Sequence, residues 1–340
     1  MKKPVTLPCE QQTFYNDNTV LLVLLLIANV YGTNFVQLTQ NNQVKLNSSF
    51  VRIACDGLIF NDVYYEKETL FNRLGKPYNL VMHKYSGVIF FSSTLRNESL
   101  LDFGITACHV DKKNCIEISG IPGGYAIAYD SDNDDIYFGG HDGIYKYNFQ
   151  TDKADFFGEK GKSIWGLFVK NYLYYIEYPS QKLFVYKDKK YVELPQAKNT
   201  EVDIFFISKN NDVYFSNNTA LMKNERGTKD LLFLDDQLVI RQIAEDEFGD
   251  VYFVASDGVY IEDKPYAKIK KIADIDQAFG LTFDVNERVI FSDKDSINRL
   301  NPSQYRDKCY NFLIENAEKL KKDPENALKW AKELLRTGYL

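Results

Sequence analysis

Apolar and polar positions follow one another along this chain in a pattern that returns six times. Each copy is an apolar pair, a turn rich in Asp, Asn, Gly or Lys, and an apolar-aromatic run ending in a small or polar residue. The copies read NLVMHKYSGVIFFSS, AIAYDSDNDDIYFGG, GLFVKNYLYYIEY, DIFFISKNNDVYFSN, QIAEDEFGDVYFVA and GLTFDVNERVIFSD. Their second runs centre on Ile89, Ile136, Leu173, Val213, Val251 and Ile290, at steps of 47, 37, 40, 38 and 39 residues. Short apolar runs bounded by turn residues predict strands. A repeat of about 40 residues holding several strands marks a propeller blade. The pattern therefore predicts an all-β chain, a six-bladed β-propeller over residues 33–300. Such a ring is a scaffold, and its function lies in the loops at one end of the channel.

Each unit continues into a third strand, as in GIYKYNF (143–149), KLFVYKD (182–188) and GVYIEDK (258–264). The turns between runs carry Asn, Asp and Gly, which tolerate the backbone of tight antiparallel connections. Outermost strands are less regular, with DKADFFG and KYVELP as candidates. Residues 50–71 hold strand-like runs before the first full unit. They are expected to supply the outer strand of the last blade, because an unclosed ring leaves an exposed edge.

The last forty residues change period. Asn301-Pro302 reads as an N-cap with Pro at the first helical position, and Tyr305, Cys309, Phe312, Leu313 and Leu320 follow helical spacing. A second helix is expected from Asp323-Pro324, with Ala327, Leu328, Ala331, Leu334 and Leu335 on one face. Residues 301–340 are thus predicted to be a short C-terminal helical extension packed on the propeller, with partner binding as the alternative.

At the other end, Lys2 and Lys3 open a polar stretch, and Val20–Ala28 (VLLVLLLIA) is an unbroken apolar run before small residues. This predicts a signal peptide over residues 1–32. The run falls short of the roughly 20 residues that a spanning helix needs. The competing reading is a buried element of the fold. The expected product is a secreted, extracellular monomer, free of the membrane once the signal is removed.

Cysteine usage fits that compartment. Cys9 leaves with the signal, and Cys55, Cys108, Cys115 and Cys309 remain, an even number with three possible pairings. The segment DFGITACHVDKKNCIEIS reads as a hairpin turning at residues 110–113, which sets Cys108 opposite Cys115 within disulfide range. Cys55 and Cys309 are then left to close the ring. Three acceptor triplets start at Asn47, Asn97 and Asn217, and mark candidate glycosylation sites.

Net charge is −6, with 41 basic and 47 acidic residues well mixed. That leaves no basic face for a phosphate backbone, and no nucleic-acid partner is expected. His83, His109 and His141 fall in different units, and no metal-ligand, nucleophile-elbow or phosphate-loop motif occurs. No catalytic residue, metal or cofactor is predicted. Binding chemistry is expected where loops enter the innermost strands. Reading those positions gives Tyr78, Tyr125, Trp165, Asp203, Arg241 and Phe279 as candidate ligand-binding residues, with Asn79, Glu201 and Gln242 beside them. An aromatic cup with a few charges suits a flat, polar small molecule. The alternative is that these rings only pack between blades.

The segments CDGLIFNDVYYEKETLF (55–71), KPYNLVMHKYSGVIFFS (76–92), DIYFGGHDGIYKYNF (135–149) and SIWGLFVKNYLYYIEYPSQKLFVYK (163–187) resemble the ommochrome-binding proteins of moth and butterfly blood. DVYFSNNTALM (212–222) resembles them less specifically. The resemblance covers roughly residues 51–300. It implies a secreted, non-enzymatic haemolymph carrier of tryptophan-derived ommochrome pigments, and it assigns no ligand residues. Two other classes compete with it. A metal-dependent lactonase of the gluconolactonase type needs several oxygen ligands from different inner strands, and only Asn79, Glu201, Asp203 and Glu245 are available. The other class is an extracellular protein-binding propeller.

Overall fold

The computed structural model describes residues 55–94, 103–188, 190–194, 197, 200–217, 220–228 and 230–322, with 316–322 described by backbone alone. The signal segment, the acceptor sites Asn47 and Asn97, and the second tail helix with Trp330 lie outside the described residues. Contacts divide the chain into a unit spanning Cys55–Tyr310 and a second unit whose described residues are 311–322.

Cys55–Tyr310 is a ring of six antiparallel sheets, built from 25 strands among the described residues. β1 (Leu58–Phe60) and β2 (Val63–Asn72) come first in sequence but belong to the last blade. Blade 1 holds β3 (Tyr78–His83), β4 (Val88–Thr94), β5 (Phe103–His109) and β6 (Asn114–Ile118). Blade 2 holds β7 (Ala126–Asp130), β8 (Asp135–Gly140), β9 (Gly143–Asn148) and β10 (Lys153–Gly158). Blade 3 holds β11 (Ser163–Lys170), β12 (Tyr172–Tyr178), β13 (Lys182–Lys187) and β14 (Lys190–Glu193). Blade 4 holds β15 (Ile204–Ile207), β16 (Val213–Asn217), β17 (Ala220–Asn224) and β18 (Leu231–Asp235). Blade 5 holds β19 (Ile240–Glu245), β20 (Val251–Ala255), β21 (Gly258–Asp263) and β22 (Lys268–Asp274). Blade 6 holds β23 (Gly280–Phe283), β24 (Val289–Ser292) and β25 (Ser296–Pro302), completed by β2 and then β1. The first strands of the blades touch in order around the channel, and β23 meets β3.

Middle strands are covered on both faces, so they read as continuous apolar runs rather than as alternation: β4 (VIFFSST) and β20 (VYFVA) are buried almost throughout. Outer strands such as β10 keep exposed side chains on most positions. The cores lie between facing blades. Phe90 and Ile105 of blade 1 pack on Ile136, Phe138 and Tyr147 of blade 2, and Tyr214 and Leu221 of blade 4 pack on Ile243 and Phe253 of blade 5.

Closure is the expected one. β2 pairs with β25 from Tyr65↔Pro302 to Asn72↔Ser296. Glu68 of β2 accepts from Arg299 Nε at 3.1 Å, Arg299 Nη2 at 2.7 Å and Asn301 Nδ2 at 2.9 Å. The Asn301 bond, with Arg299, holds the Glu68 carboxyl below the usual carboxylate range against the opposing effect of burial. Cys55 and Cys309 are disulfide-bonded with a Cα separation of 5.4 Å. Cys108 lies directly opposite Cys115 in the β5–β6 register, and the two are bonded.

One boundary differs from the expectation. Asn301 and Pro302 do not start a helix, because pairing with β2 keeps both in β25 and the Asn301 side chain is engaged by Glu68 and Arg288. The helix, α1, begins at Arg306 and runs to Lys322. Among the described residues no helix is long and apolar enough to cross a membrane.

The turns after the inner strands of blades 2, 4, 5 and 6 follow one rule. A side chain at the strand's end caps its own turn: Asp130, Asp246 and Asp284 each accept from backbone N–H groups two to four residues on, and Ser208 accepts from Asp212 N at 3.1 Å. His83 holds the corresponding place in blade 1 and contacts Ser86 Oγ at 2.6 Å. The turns are also bonded to the next blade. His83 reaches Asp134 at 2.8 Å, Lys170 donates to Ser208 O, and Lys209 N donates to Glu245 at 2.8 Å. Glu287 accepts from both Glu247 N and Lys84. This end of the ring is stitched together, and the entry ends of the inner strands form the opposite face.

Candidate ligand-binding site

A cavity of about 380 Å³ runs from the entry face along the inner strands of blades 1 to 5. Five of the six sequence-predicted residues line it: Tyr78, Tyr125, Trp165, Asp203 and Arg241. Phe279 is not in its wall. It is buried behind the wall, where Tyr78 meets it edge-on at 4.7 Å and the Arg241 guanidinium lies over it at 4.3 Å.

The geometry depends on a device that the sequence does not announce. The inner strands of blades 1, 3 and 5 each contain a bulge at the entry end. Pairing skips from Tyr78 to Val81, from Ile164 to Gly166 and from Ile240 to Gln242. The residues thrown out of the ladder include Asn79, Trp165 and Arg241. A bulge leaves its extra residue unpaired and re-aims the side chain. Asn79 takes a positive φ of 54°, a conformation that Asn tolerates, and its amide donates to Tyr125 O at 3.0 Å. Three alternate blades thus present an amide, an indole and a guanidinium to one cavity.

The rings form a continuous arc. Tyr125 stacks on Trp165 at 4.3 Å with planes 16° apart, and Tyr178 approaches Trp165 at 6.1 Å. Phe103 meets Tyr125 at 4.8 Å and Tyr78 at 5.9 Å, and Tyr78 leads on to Phe279. Trp165 therefore packs between blades 2 and 3 and lines the cavity at the same time; the two readings of that residue are not exclusive. Burial pushes the Tyr125 phenol up to about 12, with Tyr78 adding to the effect, so it stays protonated at neutral pH.

Gln242 lines the cavity and is held by four hydrogen bonds. Its Oε1 accepts from Leu80 N at 3.1 Å and Leu281 N at 3.2 Å, and its Nε2 donates to Leu80 O at 2.8 Å and Leu281 O at 3.2 Å. One side chain of blade 5 so ties the inner strands of blades 6 and 1. A Cβ on Gly280 would lie 2.7 Å from both Gln242 Oε1 and a Leu80 methyl, which explains glycine there. Phe103 and Tyr178 are not among the sequence-predicted residues because they come from neighbouring strands rather than strand entries, while Gln242 is read at its strand entry without its bridging role. The third acceptor site, Asn217, also lines the cavity, and its Oδ1 accepts from Ala220 N at 2.9 Å.

Three of the oxygen-bearing side chains considered for a metal have protein partners. Glu245 is spent on Lys209 N at the stitched end of β19, Asp203 accepts from Gln181, and Asn79 holds Tyr125 O. Among the described residues, no three of His, Cys, Asp and Glu are grouped as ligands. Ser86, His83 and Asp134 are in hydrogen-bond contact, but His83 is 2% exposed and Ser86 N also points at Nδ1, so the trio is a closed turn.

No family model matches the sequence. The chain is similar to the ommochrome-binding protein of Manduca sexta, with 27% identity over 258 residues that cover 75% of this chain and 93% of that one. Among solved structures, a gluconolactonase from Xanthomonas campestris superposes with TM-score 0.56 at 12% identity, covering 76% of this chain and 99% of the other. A second structure, a candidate gluconolactonase, gives 0.54 at 12% identity over 72% and 97%. At that identity the structural matches speak for the propeller fold alone. The sequence match spans nearly the whole relative and supports membership of the ommochrome-binding protein family.

Proposed function

We propose that the protein is a secreted, non-catalytic carrier that holds a flat, conjugated ommochrome-type pigment in the entry-face cavity. The observation that carries this reading is the arc of Tyr178, Trp165, Tyr125, Phe103 and Tyr78 beside a cavity of small-molecule size, in a relative of a protein named for ommochrome binding. Large aromatic faces bury much of a planar ligand without ordering flexible chains. The two disulfides support an oxidising compartment, and with it the signal at residues 1–32 and export to haemolymph. The lactonase reading draws on the shared fold, while the scattered donors Asn79, Glu201, Asp203 and Glu245 weigh against a channel metal.

Equilibrium dialysis of the purified protein against xanthommatin separates the two. Near-stoichiometric uptake, unchanged by a chelator and with no turnover of lactones, is the expected outcome. Stoichiometric calcium or zinc with chelator-sensitive lactone hydrolysis would overturn the carrier reading.

A further inference from the structure

Several charges that this fold buries are ion-paired, while Asp130 and Asp246 are buried as caps of their own turns. Lys223 lies among Glu262, Asp212 and Glu225 at 2.8, 3.5 and 3.3 Å. Lys271 meets Asp257 and Asp274, Arg288 meets Asp284, and Arg299 meets Glu68. Two partly buried charges at the cavity neither cap a turn nor meet a counter-charge. Arg241 and Asp203 make no ion pair among the described residues, although they stand at the entries of neighbouring inner strands and line the same space.

Arg241 has five N–H donors, and one of them, on Nη1, reaches Ala278 O at 2.7 Å. Its flat face rests on Phe279, which orients the fork without neutralising it. Burial pulls the Arg241 guanidinium below its ordinary value, and burial pushes the Asp203 carboxyl up. Asp203 accepts from the Gln181 amide, which positions its carboxylate and leaves its charge unmatched. A desolvated charge without a counter-ion is costly in the empty site and rewarded when a ligand brings the partner.

We propose that Arg241 and Asp203 form a zwitterion clamp, the guanidinium taking a ligand carboxylate and the aspartate a ligand ammonium. The inference rests on the carrier reading and narrows it: the cavity selects aromatic molecules that carry both groups. The rings hold the chromophore, and the two charges on blades 4 and 5 read its polar end. Lys76, exposed and 6.0 Å from the Phe279 ring, adds to the positive field beside Arg241.

The test uses xanthommatin, its methyl ester and its N-acetyl derivative against the full mature chain, with binding read by equilibrium dialysis. Wild type should bind the ester and the N-acetyl form each roughly 10- to 100-fold more weakly than the parent, since each loses a charge-assisted contact. Arg241→Met should weaken the parent by a similar factor and bind the ester as wild type does. Asp203→Asn should do the same for the parent and the N-acetyl form. Arg241→Lys, which keeps the charge but loses the fork, should fall between. Equal binding of all three probes by wild type, or an Arg241→Met variant that folds normally and still distinguishes ester from parent, overturns the clamp and leaves the carrier reading standing. Failure of every form to bind wild type overturns both.

Discussion

Cutting the chain back to Arg73 is expected to abolish the folded monomer. The loss removes β1 and β2, leaves the whole edge of β25 unpaired, and takes Leu70 and Phe71 out of the core they share with Leu80, Ile89 and Ile297. An exposed edge of seven residues beside a stripped core invites pairing with another chain. The milder lesion is Cys55→Ser with Cys309→Ser, which frees a loop of 254 residues in the unfolded state. It should lower stability by about 2–5 kcal/mol, the range for native bridges in secreted domains. Thermal and denaturant unfolding, with size-exclusion chromatography for the truncation, read both. A truncated chain that stays monomeric with a wild-type melting curve would show that the ring does not need this closure.

The second large effect is expected at Lys223, 3% exposed between blades 4 and 5. Its ammonium donates to Glu262, whose other oxygen accepts from Tyr214 Oη at 2.7 Å. Burial by itself pulls the ammonium down, but Glu262, Asp212 and Glu225 outweigh it and hold Lys223 above the ordinary lysine value. A raised folded-state value means that the stabilisation is complete below the ordinary lysine range and is lost as the pH rises through the raised one. Lys223→Met at neutral pH leaves Glu262 buried without its cation, at a cost of about 3–5 kcal/mol. Adding Glu262→Leu removes the stranded charge and should recover most of the loss. A single variant as stable as wild type, or a double variant no better than the single, would mean that the pair is not coupled.

The architecture was legible because blades repeat a physical problem. Each needs turn residues at one place and apolar runs at another, so Asp130, Ser208, Asp246 and Asp284 recur at the same position for the same reason: each caps its own turn. The closing strand and both disulfides followed from edge chemistry and hairpin register. The start of α1 was misplaced because Asn301-Pro302 is a good helix opening locally, while pairing with β2 across the ring decides its conformation. The candidate site was legible in its residues and not in its mechanism. Strand entries pointed to Trp165 and Arg241, but the bulges that aim them depend on registers of whole sheets. Phe103 and Tyr178 reach the arc from adjacent strands, and no local pattern marks them. Gln242 is more instructive still, since its four partners lie in two other blades.

The central claim is that the aromatic entry face holds the pigment, and Trp165 is its reporter. Xanthommatin should quench the emission of wild type and of Trp330→Phe alike, and Trp165→Phe should lose most of that signal. Trp165→Ala should weaken binding by about 1–3 kcal/mol while its melting curve confirms a folded ring. A folded Trp165→Ala variant that binds xanthommatin as tightly as wild type would contradict the claim and leave Trp165 as packing between blades 2 and 3.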